Sequence, residues 1–195
     1  MKAYWPVIAV IVLGIGMGCL YGPGGNQGPE KQGEGTVMTE QLWELKDPND
    51  FVVTLMEHLE QKTQYGRDMS ALRPAERVVY ITQSLEMEVN NGGFSQYFYN
   101  SSGDHANELV SAFQAIGEDR TAGICRKALA AFGRELPADR SEREKMLDAV
   151  FDDAISGILD ACDRAFYACE DDLAELTYRY VLKNKEQFIE PCVIK

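Results

Sequence analysis

Residues 88–104 read EVNNGGFSQYFYNSSGD. Phe94, Tyr97 and Phe98 stand at i, i+3 and i+4, the spacing that lines one face of a helix. The glycine pair Gly92-Gly93 interrupts a helical pattern on one side of them, and Asn100 to Asp104 supplies turn chemistry on the other. The spacing predicts a helix–turn–helix corner: the glycines take backbone angles that other residues resist, the asparagines satisfy turn amides, and the three rings fill a core. A competing reading makes the same stretch a polar pocket lined by Asn90, Asn91, Gln96, Asn100, Ser101 and Asp104.

Helical periodicity extends outward in both directions. Asp47-Pro48-Asn49 opens a helix with Phe51, Val52, Leu55, Met56 and Leu59 inward, closed by Gly66; Pro48 suits a first turn because its missing N–H has no partner there. Pro74 opens a second helix through Val78, Ile81, Leu85 and Val89, broken at the glycine pair. Downstream, Asp104 is placed to cap a helix carrying Leu109, Val110, Phe113 and Ile116, which Gly117 ends. Thr121 to Phe132 forms another, with Ile124, Ala128, Leu129 and Phe132 inward. Ser141-x-x-Glu144 has the form of a capping box and starts a long apolar stripe from Leu147 to Phe166, as one helix or as two broken near Gly157. Asp171 to Gln187 is the last helix. No stretch alternates with period two. The expected fold is all-α, a single compact domain of about six or seven helices over residues 37–195.

The chemistry-bearing residues form no recognisable catalytic set. His58 and His105 lack metal-site spacing, and no nucleophile elbow, phosphate loop or paired-cysteine motif occurs. No metal and no cofactor is expected. Cys125 precedes Arg126 and Lys127, which could activate a thiol, but a core cysteine beside solvated cations is the simpler reading. Cys162 and Cys169 are seven apart on a predicted helix and too distant to bridge; pairing among Cys125, Cys162, Cys169 and Cys192 is left open. Glu86/Glu88, Asp152/Asp153 and Asp171/Asp172 read as solvated carboxylates, since adjacent helical residues point apart. An enzyme of unrecognised type would need Asn90, Asn100, Asp104 and His105 to converge.

Residues 1–19 carry one cation, Lys2, and a run from Val7 to Met17 that is apolar apart from glycines. The run is short for a membrane span, which needs ~20 residues, and fits a signal peptide. It ends Gly18-Cys19, similar to the cleavage box in which a cysteine becomes a lipidated first residue; an ordinary signal peptide or an uncleaved anchor are the alternatives. Residues 20–36, rich in Gly and Pro, read as a flexible tether. The expected location is extracytoplasmic, with membrane attachment through lipid or anchor.

Lys plus Arg number 19 and Asp plus Glu 31, a formal charge of −12. Such a balance disfavours direct binding of nucleic acid; it favours basic partners or simply keeps the protein soluble, the simpler reading. Asp152, Asp153, Asp160, Asp163, Asp171, Asp172 and Glu175 are the candidate acidic binding surface. Arg164 lies within a turn of Asp160 and Asp163, and Arg179 four residues after Glu175, so the acids are expected to be interrupted rather than to form one continuous negative face, and to act mainly as solvated surface. The functional expectation is a non-enzymatic acidic binding domain, exported or membrane-anchored, with a partner the sequence does not name.

The stretch NNGGFSQYFYNSSGD, the following AFQAIG and the closing FYACEDDLAELTYRYVLKNKEQF together resemble a bacterial helical family first catalogued as a domain of unknown function and named for a DNA-mimic protein. The resemblance spans roughly residues 51–188. It implies an all-helical fold and, by analogy with the namesake, an acidic surface that imitates duplex phosphates and occupies a DNA-binding protein. The motif that carries the resemblance is structural and transfers no binding residue.

Replacing Cys19 with serine should release the protein from membranes or block its processing. Identical soluble, uncleaved behaviour of wild type and C19S in fractionation and N-terminal mass spectrometry would exclude lipidation.

Overall fold

The computed structural model describes residues 40–189. Cys19, the 1–19 and 20–36 segments and Cys192 lie outside the described residues. Eight α-helices follow in order: α1 (Glu40–Glu44), α2 (Pro48–Lys62), α3 (Pro74–Tyr99), α4 (Leu109–Ala115), α5 (Asp119–Ala130), α6 (Arg140–Val150), α7 (Asp153–Tyr167) and α8 (Leu173–Lys183). Short 3-10 turns occupy Met69–Ala71, Ser101–Glu108 and Lys185–Gln187. No strand occurs among the described residues. The all-α expectation holds.

Helix α3 is the central element. Its first half contributes Ala75 and Val79 to one apolar cluster, with Leu42, Phe51, Val52, Leu55 and Leu59 from α1 and α2 and Val181 from α8. Phe51 sits at the centre of this cluster, its ring edge-on to Tyr178 at 4.8 Å between centroids. From Ile81 onward α3 serves a second, larger cluster with Leu109, Phe113, Cys125, Leu147, Leu159 and Phe166 from α4 to α7. Two polar ties hold the start of α3. Buried Glu76 accepts from Lys62 Nζ at 2.8 Å and from the Arg73 amide at 2.8 Å. Arg73 Nη1 donates to the carbonyls of Glu186 and Ile189, and the Ala75 amide donates to Gln187 Oε1, so the last described residues latch onto the first turn of α3.

The glycine pair bends α3 and does not end it. Gly92 and Gly93 leave helical angles, and the helix resumes through Phe94 to Tyr99. Gly93 has φ +80°, and a Cβ there would collide with the Asp163 carboxylate. That carboxylate fills the place of the lost helical acceptor: Asp163 Oδ1 accepts from the Phe94 amide at 2.8 Å. The expected corner is therefore a kink pinned by a side chain of α7.

The expected rings are in the core. Phe94, Tyr97 and Phe98 are buried in the same cluster as Leu109 and Phe113. Phe98 packs edge-on to Phe132 at 5.1 Å, and Phe94 to Phe166 at 6.4 Å.

Several helix starts differ from the expected ones. Asp104 does not cap α4; Glu108 precedes that helix without a side-chain cap. Asp139 caps α6 by accepting from the Glu142 amide, so the Ser141–Glu144 box is not used: the helix has already begun at Arg140. The apolar stripe breaks at Phe151-Asp152, not near Gly157, because Asp152 caps α7. Glu118 caps α5, and Asp172 caps α8. Within α5 the buried face is Thr121, Ala122, Cys125 and Ala128, while Ile124 and Leu129 are only partly buried. Cys169 lies beyond the end of α7, so it does not share a helix with Cys162.

Removing the Phe98 ring should leave a cavity between Phe94, Tyr97 and Phe132. Phe98→Ala should cost ~3–5 kcal/mol of stability, read as a shift in urea midpoint with the m-value retained; a cost under about 1 kcal/mol would show that the rings are not the core of the corner.

Candidate functional site

The polar residues of the 88–104 segment are distributed over separate arrangements. Glu88 is the hub of the first. Its carboxylate accepts from Gln96 Nε2 at 2.6 Å, Asn100 Nδ2 at 2.9 Å and Ser102 Oγ at 2.9 Å. Positions 88, 92, 96 and 100 lie four apart on one face of a helix. Gly92 leaves room for the Gln96 amide to reach Glu88, since a Cβ there would strike that amide. Glu88 is therefore not a solvated surface carboxylate, as adjacency to Glu86 had suggested.

Arg143 is the hub of the second. It is fully buried, and every donor of its guanidinium is used: Nε to Phe98 O at 2.8 Å, Nη1 to Pro137 O and Ala138 O at 3.0 and 3.1 Å, Nη2 to Asn100 O and Asp104 Oδ1 at 2.8 and 2.7 Å. Gly103 sits against this fork, where a Cβ would lie 2.8 and 2.9 Å from Tyr97 O and Phe98 O. Sequence reasoning missed Arg143 because it stands in a charged run, Arg140-Ser141-Glu142-Arg143-Glu144, that looks uniformly solvated.

The third arrangement joins α3 to the Ser101–Glu108 turn. Arg77 donates to both oxygens of Glu108 at 2.7 and 2.8 Å, and its Nη2 lies 3.2 Å from His105 Nδ1. The same His105 Nδ1 lies 3.6 Å from Glu108 Oε1, so it faces both the guanidinium and the carboxylate. Burial first, and Arg77 second, hold the imidazole below its ordinary pKa. Arg77 likewise keeps Glu108 low. Asn100, Asp104 and His105 thus turn to Glu88, Arg143 and Arg77 respectively. Asn90 and Asn91 are exposed helical residues and satisfy no turn amide. Tyr97 is buried with a hydroxyl that has no hydrogen-bond partner, and burial pushes its pKa well up. Burial also raises the thiol of Cys125, which is a core residue and not an activated nucleophile.

The candidate acids fall along α7 and the start of α8. Asp152 and Asp172 are exposed caps, accepting from the Ile155 and Glu175 amides. Asp153 and Asp160 are exposed on the face of α7 opposite Ile155, Leu159, Cys162 and Phe166, and Arg164 follows Asp160 by one turn on that face. Asp163 is committed to the Phe94 amide. Asp171 is exposed in the loop between α7 and α8. Glu175 pairs with Arg179 at 2.5 Å. Among the described residues no group of three or more His, Cys, Asp or Glu could hold a metal ion, and no described helix is long and apolar enough to cross a membrane.

A family model described as DMP19-like protein matches residues 70–184. The chain belongs to the DMP19-like family. No curated protein and no solved structure matches it. The matched span runs from just before α3 to just after α8, and so contains the kink, all three polar hubs and every candidate acid. Helices α1 and α2 lie before it.

One further carboxylate of the DMP19-like region, expected to be solvated, is half-buried. Glu86 lies on α3 one turn after Gln83, whose amide donates to Thr177 Oγ1 of α8 at 3.2 Å. Burial, then the Asp172 carboxylate, push the Glu86 pKa up to about 7, partly offset by a hydrogen bond from Gln83. The folded protein therefore holds this proton more tightly than the unfolded chain, where the value is near 4.5. Its contribution to stability is complete below about 4.5 and is lost as pH rises through about 7. Glu86→Gln should remove that loss, gaining on the order of 1–2 kcal/mol relative to wild type between pH 6 and pH 8. Urea denaturation across pH 5–8 checks this; parallel curves for the two proteins would refute it.

Proposed function

We propose that this domain acts by binding, as an acidic helical module of the DNA-mimic type that occupies a positively charged, DNA-binding protein surface. The observation that carries the reading is the match to the DMP19-like family over residues 70–184, in a chain with 31 acidic and 19 basic residues. Within the match the acids are concentrated. Phe151 to Glu175 holds eight carboxylates and one cation, Arg164. Capping places two of them, Asp152 and Asp172, at exposed helix starts, where the amide they bind fixes the carboxylate in position. Asp153 and Asp160 extend the charge along the outer face of α7. Arg164 interrupts this stretch, and the Glu175–Arg179 pair neutralises its far end. The mimic therefore presents a short row of acids, suited to a single DNA-contacting element.

The segment before the domain favours a second reading of where it acts. The apolar run from Val7 to Met17 and Gly18-Cys19 support export and membrane attachment. In that location the same acidic face would meet a basic extracytoplasmic protein.

Competition separates the two. The immobilised domain, loaded with cell lysate, should release a bound DNA-binding protein when short duplex DNA is added at a salt concentration that does not elute it. Binding should weaken steeply with salt, and Asp153→Lys/Asp160→Lys should abolish it. Proteins released by salt but not by duplex DNA would remove the mimic reading.

A further inference from the structure

Helix α8 is held unequally along its length. Its second half buries Val181 in the apolar cluster of α1 and α2. In the first turn the only buried side chain is the methyl of Ala174: Leu173 and Leu176 are half-buried, and Glu175 turns to Arg179. The loop ahead of it starts from a fixed point, since Arg120 of α5 donates to the Ala168 carbonyl at 3.3 Å. Residues 169–176 thus lie between two anchored ends with little apolar burial of their own.

What seats this turn on α3 is polar. Gln83 is buried and donates to Thr177 Oγ1 at 3.2 Å, a bond between two neutral groups shielded from water. One turn further along α3 stands Glu86, half-buried, with the Asp172 carboxylate that caps α8 acting on it. Two carboxylates that share such a junction cannot both ionise at no cost.

No cation relieves them. Among charged groups Asp172 alone acts on Glu86. The others on the surrounding elements are engaged elsewhere. On α8 Glu175 and Arg179 pair with each other, and on α2 Lys62 is bonded to Glu76 while Glu60 acts on Tyr80. On α3 Glu88 holds Gln96, Asn100 and Ser102. On α7 Asp163 takes the Phe94 amide and Tyr167 the Val89 carbonyl. Glu170 and Asp171 are exposed in the loop.

We propose that Glu86 and the capped start of α8 form a pH-sensitive catch: protonated Glu86 seats the first turn of α8 on α3, and ionised Glu86 releases it. The direction follows from where the proton is held more tightly. Glu86 titrates near 7 in the seated form and near 4.5 once solvated. Seating is complete below about 4.5, weakens as the pH rises, and is lost through about 7. Release would move Asp172 and Glu175, at the far end of the acidic row. In regulating that row the catch rests on the binding reading above, but its test needs no partner.

Amide hydrogen exchange on the intact protein between pH 5 and pH 8, corrected for the intrinsic pH dependence, tests it. The amides of Glu175, Leu176 and Thr177 should open about tenfold more often at pH 8 than at pH 5. That rise should not change in low urea, because a local opening exposes little surface, whereas amides of α5 should respond to urea as the whole fold does. Glu86→Gln should abolish the rise. Asp172→Asn, which still caps the helix, should move it to lower pH.

An equal rise in wild type and Glu86→Gln would overturn the catch. So would α8 amides with the urea dependence of α5, which would make the titration a property of global unfolding. Should Glu86→Gln not fold, an unmoved midpoint in Asp172→Asn would overturn it alone. A catch that responds as expected in a domain that captures no basic protein would stand without the binding reading.

Discussion

The buried guanidinium of Arg143 is the constraint around which the larger half of the molecule is arranged. A charge taken out of water costs several kcal/mol unless every donor is matched. Here the match requires four carbonyls and one carboxylate from three separate pieces of chain: the end of α3, the Ser101–Glu108 turn, and the loop before α6. Those carbonyls are among the ones a helix end or an irregular loop leaves without partners. One side chain thus resolves the end of α3 and the approach to α6 together. A lysine could not do so, because its ammonium offers three donors in place of a planar fork of five. Gly103 is part of the same arrangement, since only a residue without a Cβ lets the turn come this close.

The second organising feature is the kink at Gly92-Gly93, which resembles the Arg143 site in its logic. A break in the helical ladder frees an amide, and a side chain from another helix takes it: Asp163 for Phe94. The burial that this requires raises the Asp163 carboxyl above its ordinary value, with Asp160 adding repulsion and the Phe94 amide opposing both. One of the acids that gives the domain its negative character is thereby also a structural member. The same holds for Asp152 and Asp172 at helix starts. Acidity and architecture overlap in this fold, so the acids cannot be counted as freely variable surface.

The helical class and the burial of Phe94, Tyr97 and Phe98 were legible because period-3.6 patterning is a local signal. Pro48 after Asp47 marked a true helix start for the same reason. What was not legible depended on partners distant in sequence. Arg143 and Glu142 look alike in a charged run, and only the carbonyls 43 and 45 residues away make one of them buried. The Ser141–Glu144 box failed because Asp139, two residues earlier, had already taken the capping role. Glu88 did leave a trace: carboxylate, glycine, glutamine and asparagine at spacing four describe one face of a helix with a gap in it. Reading the glycine pair as a stop hid that face. Glu86 left none, since its neighbour Asp172 belongs to a helix that begins 87 residues later.

The latch of Arg73 and Ala75 onto Glu186, Gln187 and Ile189 has a consequence for the order of assembly. These bonds close loops of 112 to 116 residues, although helical domains generally fold through near-neighbour contacts. During synthesis the chain emerges from its N-terminal end, and α3 is complete while its first turn still lacks these partners. Val181 and Phe188, which seal the apolar cluster over Phe51 and Val79, emerge equally late. The half built on α1 and α2 therefore lacks part of its seal until almost the last described residue has been made, whereas the buried residues of the larger cluster all lie at or before Phe166.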